Sequence, residues 1–248
     1  MRLANQIAIV TGSGSGIGRA TALLFAKEGA RVIVADIDED AGRRTVSEIE
    51  LNGGEALYVG VDVGQAASVE AMIQQVVERF GRVDILVNNA GIQRMGTVEE
   101  TTDEDWQAVL GVNLTGVFLC SRAVIPQMKK LGAGNIINIA SGAGMVGVPQ
   151  SAAYCASKGG VVLLTRQMAL DYERFNLRVN AICPGAVNTP LMEGFFRYRR
   201  PEDPEAYRQE YEAALPLGRM LCPDEVAFEA LVLASHKSYL LTGHCVMI

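Results

Sequence analysis

A tyrosine and a lysine stand four residues apart in the segment YCASK, at Tyr154 and Lys158. If this segment begins a helix, residues i and i+4 share one face, and the ammonium group lies beside the phenol. Free tyrosine has a pKa near 10, and a base that works near pH 8 needs this pKa lowered at a cost of roughly 2.7 kcal/mol. A neighbouring ammonium group favours the phenolate. The pair is therefore a candidate acid/base unit, although the same spacing also arises by chance.

A glycine-rich segment, TGSGSGIG at 11–18, follows a predicted strand and opens a predicted helix. Backbone N–H groups at a helix start attract phosphate, and glycine lets the phosphate come close. The dinucleotide pattern G-x-G-x-x-G does not fit, because Ile17 stands where the third glycine is needed. The pattern G-x-x-x-G-x-G does fit, through Gly12, Gly16 and Gly18. We expect a phosphate-binding turn here, with a flexible strand–helix connection as the alternative.

A carboxylate ends the second predicted strand at Asp36, 18 residues after Gly18. At this place a carboxylate accepts hydrogen bonds from the adenosine ribose hydroxyls. It also repels a 2′-phosphate, so the sequence predicts NAD as the cofactor in preference to NADP. The alternative is an acidic cap on the next helix, a position that Asp38 fills equally well.

The elements that must position these groups are short apolar runs that alternate with longer helical stretches. Strands are predicted at 6–10, 31–35, 56–61, 84–87, 135–140 and 178–183, and helices at 17–29, 39–52, 66–80, 103–130, 154–175 and 223–235. This alternation predicts an α/β fold, a doubly wound, Rossmann-like parallel sheet with helices on both faces. Ligands bind such sheets beyond the carboxyl ends of the strands, where the motifs above fall.

The alternation runs unbroken up to Cys183, so we expect one domain over 1–248. Residues 188–216 mix prolines, aromatics and charges, and they are predicted to form a long inserted loop that meets the substrate. Met192, Phe195 and Phe196 in this loop suggest an apolar pocket wall, or they simply pack. The segment RYRR at 197–200 suits either an anionic substrate or a solvated surface.

Composition narrows the class of protein. The chain carries 22 Lys and Arg against 28 Asp and Glu, a net charge of −6, which argues against a nucleic-acid partner. Five scattered cysteines without a C-x-x-C pair favour a reduced, cytoplasmic protein. Two histidines near one end of the sequence have no metal-ligand spacing, so no metal site is expected. No targeting or membrane segment is predicted.

Taken together, the motifs resemble the short-chain dehydrogenase/reductase family in order and in spacing over about 3–243. The resemblance is carried by TGSGSGIG, Asp36, NNAG at 88–91, Asn113, Ser141, YCASK and PGAVNT at 184–189. It implies an NAD-dependent oxidoreductase that transfers a hydride between nicotinamide and a secondary alcohol or ketone. It also implies a homotetramer paired through the helices at 103–130 and 154–175. The ending TGHCVMI lacks the aspartate and glycine pair usual in the family, which leaves the substrate side and the subunit contacts open.

The resemblance assigns four catalytic residues. Tyr154 is the general acid/base, and Ser141 hydrogen-bonds the same substrate oxygen. Lys158 lowers the pKa of the tyrosine and binds the nicotinamide ribose, and Asn113 holds a water that connects the lysine to solvent. Structural alternatives exist for two of them, because Ser141 suits a turn cap and Asn113 suits a buried polar residue satisfied by backbone.

The resemblance also assigns cofactor-binding residues along the strand ends. Asp62 and Val63 would flank the adenine, while Val187 and Thr189 would anchor the nicotinamide carboxamide. The whole set comprises Gly12, Ser15, Gly16, Ile17, Gly18, Asp36, Asp62, Val63, Asn89, Ala90, Gly91, Tyr154, Lys158, Pro184, Gly185, Val187 and Thr189.

The substrate stays open. At Gln93 the chain is similar to the 3-hydroxybutyrate dehydrogenases of the family, but Ser151 stands where those enzymes carry a carboxylate-binding lysine. A 3-oxoacyl reductase is a further alternative, which Asp36 disfavours because such enzymes typically use NADP. A catalytically silent NAD-binding scaffold on the same fold is the alternative to an enzyme, and the complete catalytic set argues against it.

Overall fold

Seven parallel strands form the central sheet of the chain, for which a computed structural model describes residues 1–248. The strands are Ile7–Thr11 (β1), Arg31–Asp36 (β2), Glu55–Gly60 (β3), Ile85–Asn88 (β4), Gly134–Ile139 (β5), Leu177–Cys183 (β6) and Cys245–Met247 (β7). Their spatial order is β3-β2-β1-β4-β5-β6-β7, and every neighbouring pair is parallel. The doubly wound α/β fold is confirmed, and the first six strands lie within one residue of the predicted bounds.

Nine α-helices accompany the sheet. They are Gly16–Lys27 (α1), Glu39–Leu51 (α2), Ala66–Phe80 (α3), Asp103–Leu110 (α4), Gly116–Leu131 (α5), Ala152–Tyr172 (α6), Pro190–Arg199 (α7), Pro204–Ala214 (α8) and Pro223–Ala234 (α9). Helices α1, α2 and α9 pack on one face of the sheet, and α3, α5 and α6 pack on the other. Along β1, Ile7 and Ile9 enter one core and Ala8 and Val10 the other, because side chains alternate across a strand.

The strand order reverses between β1 and β4, and this junction positions the site. The β1 strand ends at Thr11, whose hydroxyl oxygen accepts hydrogen bonds from the backbone N–H groups of Asn89 and Ala90 just after β4. The glycine turn that follows β1 is therefore fixed against the end of β4. Ligands of open parallel sheets bind at such a reversal.

The long helix predicted at 103–130 is not a regular α-helix throughout. A π-helical segment, Gly111–Thr115, separates α4 from α5. The run Asp103–Leu131 is long and apolar enough to cross a membrane by length and composition alone, and half of its most apolar window is buried inside the fold. Its apolar residues, such as Leu119 and Val124, pack into the core beside the sheet.

The inserted loop predicted at 188–216 was wrong in its secondary structure, because this segment folds into the helices α7 and α8. Pro190 and Pro204, which look like helix breakers in the sequence, stand at the first positions of these helices, where proline is favoured. The helices form a hairpin, called here the α7–α8 hairpin, with an aromatic core of its own. The rings of Phe195, Phe196, Tyr207 and Tyr211 lie 5.6 to 6.4 Å apart.

Candidate active site

The glycine turn after β1 has the backbone conformation and the close packing that exclude a side chain. Gly12 and Gly16 have φ angles of 63° and 51°, in the left-handed region that favours glycine. A Cβ atom on Gly18 would lie 2.1 Å from the carbonyl oxygen of Gly12, so any larger residue there would push the turn open. The three glycines of the G-x-x-x-G-x-G pattern thus shape the turn itself.

Asn89 locks this turn to the end of β4. Its side-chain Nδ2 donates hydrogen bonds to the carbonyl oxygens of Thr11 at 2.9 Å and Gly12 at 3.0 Å. The neighbouring Ala90 has its Cα atom 2.8 Å from the point where a Cβ on Gly12 would stand. The sequence analysis places Asn89 and Ala90 among the cofactor-binding residues, and the structure adds that they hold the shape of the turn.

The N-terminus of α1 keeps free donors. Ser15 is the capping residue, but its side chain makes no capping hydrogen bond. The first-turn N–H groups of a helix have no partner within the helix, and its dipole places positive charge there. This donor set, framed by glycines, fits the phosphates of a dinucleotide. Ile17, also predicted to bind the cofactor, packs against the core below the turn.

Asp36 lies beside the same turn. One oxygen of its carboxylate accepts a hydrogen bond from the Gly14 N–H at 2.7 Å, and the other accepts one from the Asp38 N–H at 2.9 Å. The cap of α2 is Asp38, whose side chain accepts from the Ala41 N–H at 2.9 Å. Asp36 forms no ion pair and is half-buried, so its carboxylate stays available to ribose hydroxyls.

The predicted adenine contacts are less open. The carboxylate of Asp62 accepts a hydrogen bond from the Gly64 N–H at 2.9 Å, within its own turn. Val63 is buried, and its Cγ2 atom lies 2.8 Å from the position of a Cβ on Gly116 in α5. The Val63 side chain therefore packs against α5 in the core, and only its backbone is left to face an adenine ring.

Ser141 and Tyr154 meet at the carboxyl end of β5. Ser141 caps the short 3₁₀ turn Gly142–Gly144, where its hydroxyl oxygen accepts from the Ala143 N–H at 3.1 Å. The same side chain lies near the Tyr154 phenol. Burial raises the pKa of Tyr154 above its ordinary value, and the neighbouring Ser141 side chain lowers it in part. The cap and the contact with the tyrosine exist together.

Lys158 is buried one turn after Tyr154. Its Nζ atom donates a hydrogen bond to the carbonyl oxygen of Ile139 at 2.8 Å and lies 5.7 Å from the centre of the Tyr154 ring. Burial lowers the pKa of Lys158 to about 8. In the chain alone, burial raises the pKa of Tyr154 and lowers that of Lys158, so the lowering of the tyrosine pKa by this ammonium stays a prediction.

Asn113 stands in the π-helical segment and ties α6 to the segment after β4. Its Oδ1 accepts from the Ile92 N–H at 2.8 Å, and its Nδ2 donates to the Ile92 carbonyl at 2.9 Å and to the Ser157 hydroxyl at 3.1 Å. A Cβ on Gly91 would lie 3.5 Å from Asn113 Oδ1 and 3.6 Å from Lys158 Nζ. The bare backbone at Gly91 thus leaves Asn113 and Lys158 close together.

The segment after β6 closes the far side of the cleft. The Pro184 carbonyl accepts from the Gly142 N–H at 2.8 Å, and the Gly185 N–H donates to the Ile248 carbonyl at 2.9 Å. Thr189 caps α7, and its Cγ2 lies 3.3 Å from the position of a Cβ on Gly16. Val187 is buried. This segment therefore reaches the glycine turn from the opposite side.

Three contributors to the site were missed by the sequence analysis: Ile92, Ile139 and Ser157. Ile92 and Ile139 act through their carbonyl oxygens, and Ile92 also through its N–H, so side-chain chemistry gives no signal for them. Ser157 lies within YCASK and donates to the Tyr154 carbonyl at 2.8 Å. No three His, Cys, Asp or Glu side chains lie close enough together to hold a metal ion.

Comparison with known proteins identifies a family pattern over most of the chain. A family model described as short chain dehydrogenase matches residues 6–199. The chain is 40% identical to a 3-oxoacyl-[acyl-carrier-protein] reductase of Thermotoga maritima, covering 99% of this chain and 97% of the relative. It is 38% identical to a meso-2,3-butanediol dehydrogenase of Serratia marcescens, covering 98% and 92%.

Solved structures agree. The crystal structure of a single-substitution variant of actinorhodin polyketide ketoreductase with NADPH superposes with a TM-score of 0.94 at 38% identity, covering 98% of this chain and 95% of that one. These relatives act, by their names, on hydroxyl or keto groups.

Proposed function

The chain belongs to the short-chain dehydrogenase/reductase family, an oxidoreductase family that binds a nicotinamide cofactor, and we propose that it oxidises a secondary alcohol, or reduces the matching ketone, with NAD. One observation carries this proposal. The Ser141 side chain lies near the Tyr154 phenol at the carboxyl end of β5, and Lys158 Nζ lies 5.7 Å from the centre of the same ring. When bound, the nicotinamide would accept or donate the hydride at the carbinol carbon.

Tyr154 and Ser141 act on the substrate oxygen, where a proton is transferred. Because the two side chains lie near each other, a carbinol or carbonyl oxygen bound beside them would accept a hydrogen bond from each. In alcohol oxidation Tyr154 takes the proton as the carbonyl forms, and in reduction it returns the proton. Ser141 steadies the charge that develops on the oxygen. The hydrogen bond from the Ala143 N–H to Ser141 Oγ holds the Ser141 side chain in place.

Lys158 and Asn113 support this exchange. Lys158 is held by the Ile139 carbonyl, so its remaining N–H donors are free to bind ribose hydroxyls. Its own charge is sensitive to pH near 8 because burial lowers its pKa. Asn113 holds Ile92 and Ser157 in place on either side of the lysine. We assign Asn113 a positioning role, together with the predicted water that would connect Lys158 to solvent.

NAD is proposed over NADP because of Asp36. The carboxylate ends β2 without an ion pair, so a 2′-phosphate placed against it would meet an uncompensated negative charge. The ketoreductase superposed above carries NADPH, and the family as a whole therefore does not decide the cofactor. The proposal rests on this chain's own residue.

A homotetramer is proposed on the faces of α5 and α6. Phe118, Leu163 and Leu170 are exposed there at 45%, 64% and 74%. Trp106 in α4 is 36% exposed, whereas Val109 is fully buried and belongs to the core. Exposed apolar side chains along neighbouring helices fit contact with a second copy of the chain. A cytoplasmic location is proposed from the five free cysteines.

A panel of secondary alcohols and ketones tests the enzymatic proposal. The purified chain is mixed with NAD⁺ or NADH, and the absorbance of NADH is followed. We expect turnover of at least one panel member at a rate well above that of protein-free controls. NADH binding without turnover of any member would favour the silent scaffold and contradict the proposal.

A further inference from the structure

Arg199 is a half-buried arginine of the α7–α8 hairpin without the ion-pair partner that Arg200 and Arg208 have. Arg200 pairs with Glu210 at 2.7 Å, and Arg208 pairs with Glu193 at 2.9 Å. Arg199 is half-buried and forms no ion pair. Its positive charge is therefore not neutralised inside the protein.

The guanidinium group of Arg199 is held by hydrogen bonds, but not all of its N–H donors have an acceptor. It donates to the Pro149 carbonyl at 2.9 Å and to the side-chain oxygen of Gln150, and it lies 5.1 Å from the centre of the Phe195 ring. Its Nε–H is buried and has no acceptor. A half-buried cation without a counter-ion is stabilised when an anion joins it. An arginine edge of this kind binds a carboxylate through two parallel hydrogen bonds.

The group contacts the segment that leads into the helix of the catalytic tyrosine. Gln150 and Ser151 directly precede α6, and Ser151 stands three residues before Tyr154, a rise of about 4.5 Å along a helix. Gln93, two residues beyond Gly91, donates to the Ser151 hydroxyl at 3.4 Å. Amide and hydroxyl groups thus connect the arginine with the wall next to Tyr154.

The backbone at Gln150 gives a second, independent indication. Gln150 has a φ of 54°, a left-handed conformation that costs a non-glycine residue free energy. Its carbonyl oxygen accepts from the Gly96 N–H at 2.9 Å, and Arg199 binds its side chain. Strain maintained by surrounding contacts is typical of ligand-binding segments.

We propose that Arg199 binds an anionic group of the substrate, so that the substrate class is hydroxy acids and the matching oxo acids. The carboxylate accepts hydrogen bonds from the guanidinium group of Arg199, while the carbinol oxygen meets Tyr154 and Ser141. This inference rests on the proposed function, because it names the substrate class of the same site.

Matched pairs of acid and ester test it. The ratio of kcat/KM for 3-hydroxybutyrate to that for its methyl ester, and for lactate to methyl lactate, is measured with the wild type, Arg199→Met and Arg197→Met. Arg197 is exposed on the same helix and serves as the control. We expect the wild type to prefer the acid of the better pair at least tenfold, Arg199→Met to lose at least tenfold of that preference, and Arg197→Met to keep it.

Two results would overturn the inference: a wild type that oxidises esters or neutral alcohols as well as acids, or an Arg199→Met variant in which acid and ester fall together. A calorimetric titration of butyrate and butyramide into the NADH-saturated protein decides the matter without turnover. Tighter binding of butyrate that Arg199→Met abolishes supports the anion site, and equal or undetectable affinities contradict it. Absence of turnover across the alcohol panel despite NADH binding would instead defeat the proposed function.

Discussion

The Nζ atom of Lys158 lies 5.7 Å from the centre of the Tyr154 ring while it donates its hydrogen bond to the Ile139 carbonyl. One N–H of the ammonium is thus directed at the end of β5. In the chain alone, burial acts on both groups, raising the pKa of Tyr154 and lowering that of Lys158 to about 8. The pair is therefore set for function at a cost in stability.

Replacing Lys158 by methionine should expose that cost. Lowering the lysine pKa from 10.5 to about 8 corresponds to about 3 kcal/mol of unfavourable burial, which the variant no longer carries. The variant also loses the hydrogen bond to the Ile139 carbonyl, which reduces this gain in stability by about 1 kcal/mol. We expect Lys158→Met to raise the free energy of unfolding by about 1–2 kcal/mol at pH 7 and to lose activity. Chemical denaturation with an NADH-absorbance assay measures both.

The pH dependence of this gain has a definite sign. Between pH 8 and 10.5 the unfolded chain holds the Lys158 proton and the folded chain does not, so the wild type gains stability as the pH rises. The advantage of Lys158→Met should therefore be full below pH 8 and shrink above it. An advantage that grows with pH would show that Lys158 is not buried as described.

Asp36 should decide the cofactor. We expect NAD(H) to bind at least tenfold tighter than NADP(H), about 1.4 kcal/mol, because the carboxylate accepts ribose hydroxyls and repels a phosphate. Asp36→Ala should reduce this preference at least tenfold, as measured by fluorescence titration of both cofactors. Asp38→Ala is the control, since it removes the α2 cap at about 1 kcal/mol of stability and should keep the preference. Equal affinities in the wild type would contradict the assignment.

Variants of the neighbouring Asn88 and Asn89 should distinguish an effect on cofactor binding from an effect on stability. Asn89→Ala removes two hydrogen bonds that hold the glycine turn, so we expect a loss of about 2 kcal/mol of stability and at least fivefold weaker NADH binding. Asn88 instead donates to Ser121 and Asn138 in the core. Asn88→Ala should lower stability comparably and leave the NADH dissociation constant unchanged. Weakening of NADH binding in both variants would mean that the turn has no special dependence on Asn89.

Assembly should depend on the exposed face of α6. Light scattering of the wild type is expected to give about four times the chain mass of 26.6 kDa. Leu163→Lys places a charge on the proposed contact, and we expect it to yield smaller species with an unchanged helical spectrum. Leu51→Lys, which is on α2 at 87% exposure, is the matched control. A monomeric wild type would contradict the tetramer.

Much of the frame followed from the sequence. Apolar runs such as QIAIV in β1 have to be covered on both faces, and this requirement located six strands within one residue. The π-helical segment at Asn113 was not visible, because a change in hydrogen-bond register leaves apolar periodicity almost intact. Helices α7 and α8 were hidden because Pro190 and Pro204 suggest breaks, although proline also starts helices.

In the site, too, some features were predictable from the sequence and others were not. The spacing of Tyr154 and Lys158 predicted that they share a helix face, which follows from geometry alone. It did not show where Nζ would point, because the acceptor is the backbone of Ile139, distant in sequence. From the sequence, either Asp36 or Asp38 could cap α2. The structure shows that Asp38 caps the helix, whereas Asp36 accepts from the Gly14 N–H of the glycine turn. Long-range backbone partners carry no mark in a sequence.

The central claim is that the Tyr154 hydroxyl moves the proton of the substrate oxygen beside a bound nicotinamide. The most direct measurement compares kcat and the NADH dissociation constant of wild type and Tyr154→Phe on the best alcohol of the panel. Removing a general acid/base lowers the rate by about 10²–10⁴-fold, so kcat should fall by at least a hundredfold while the dissociation constant changes less than threefold. A Tyr154→Phe variant that keeps a tenth or more of the wild-type kcat would contradict the account.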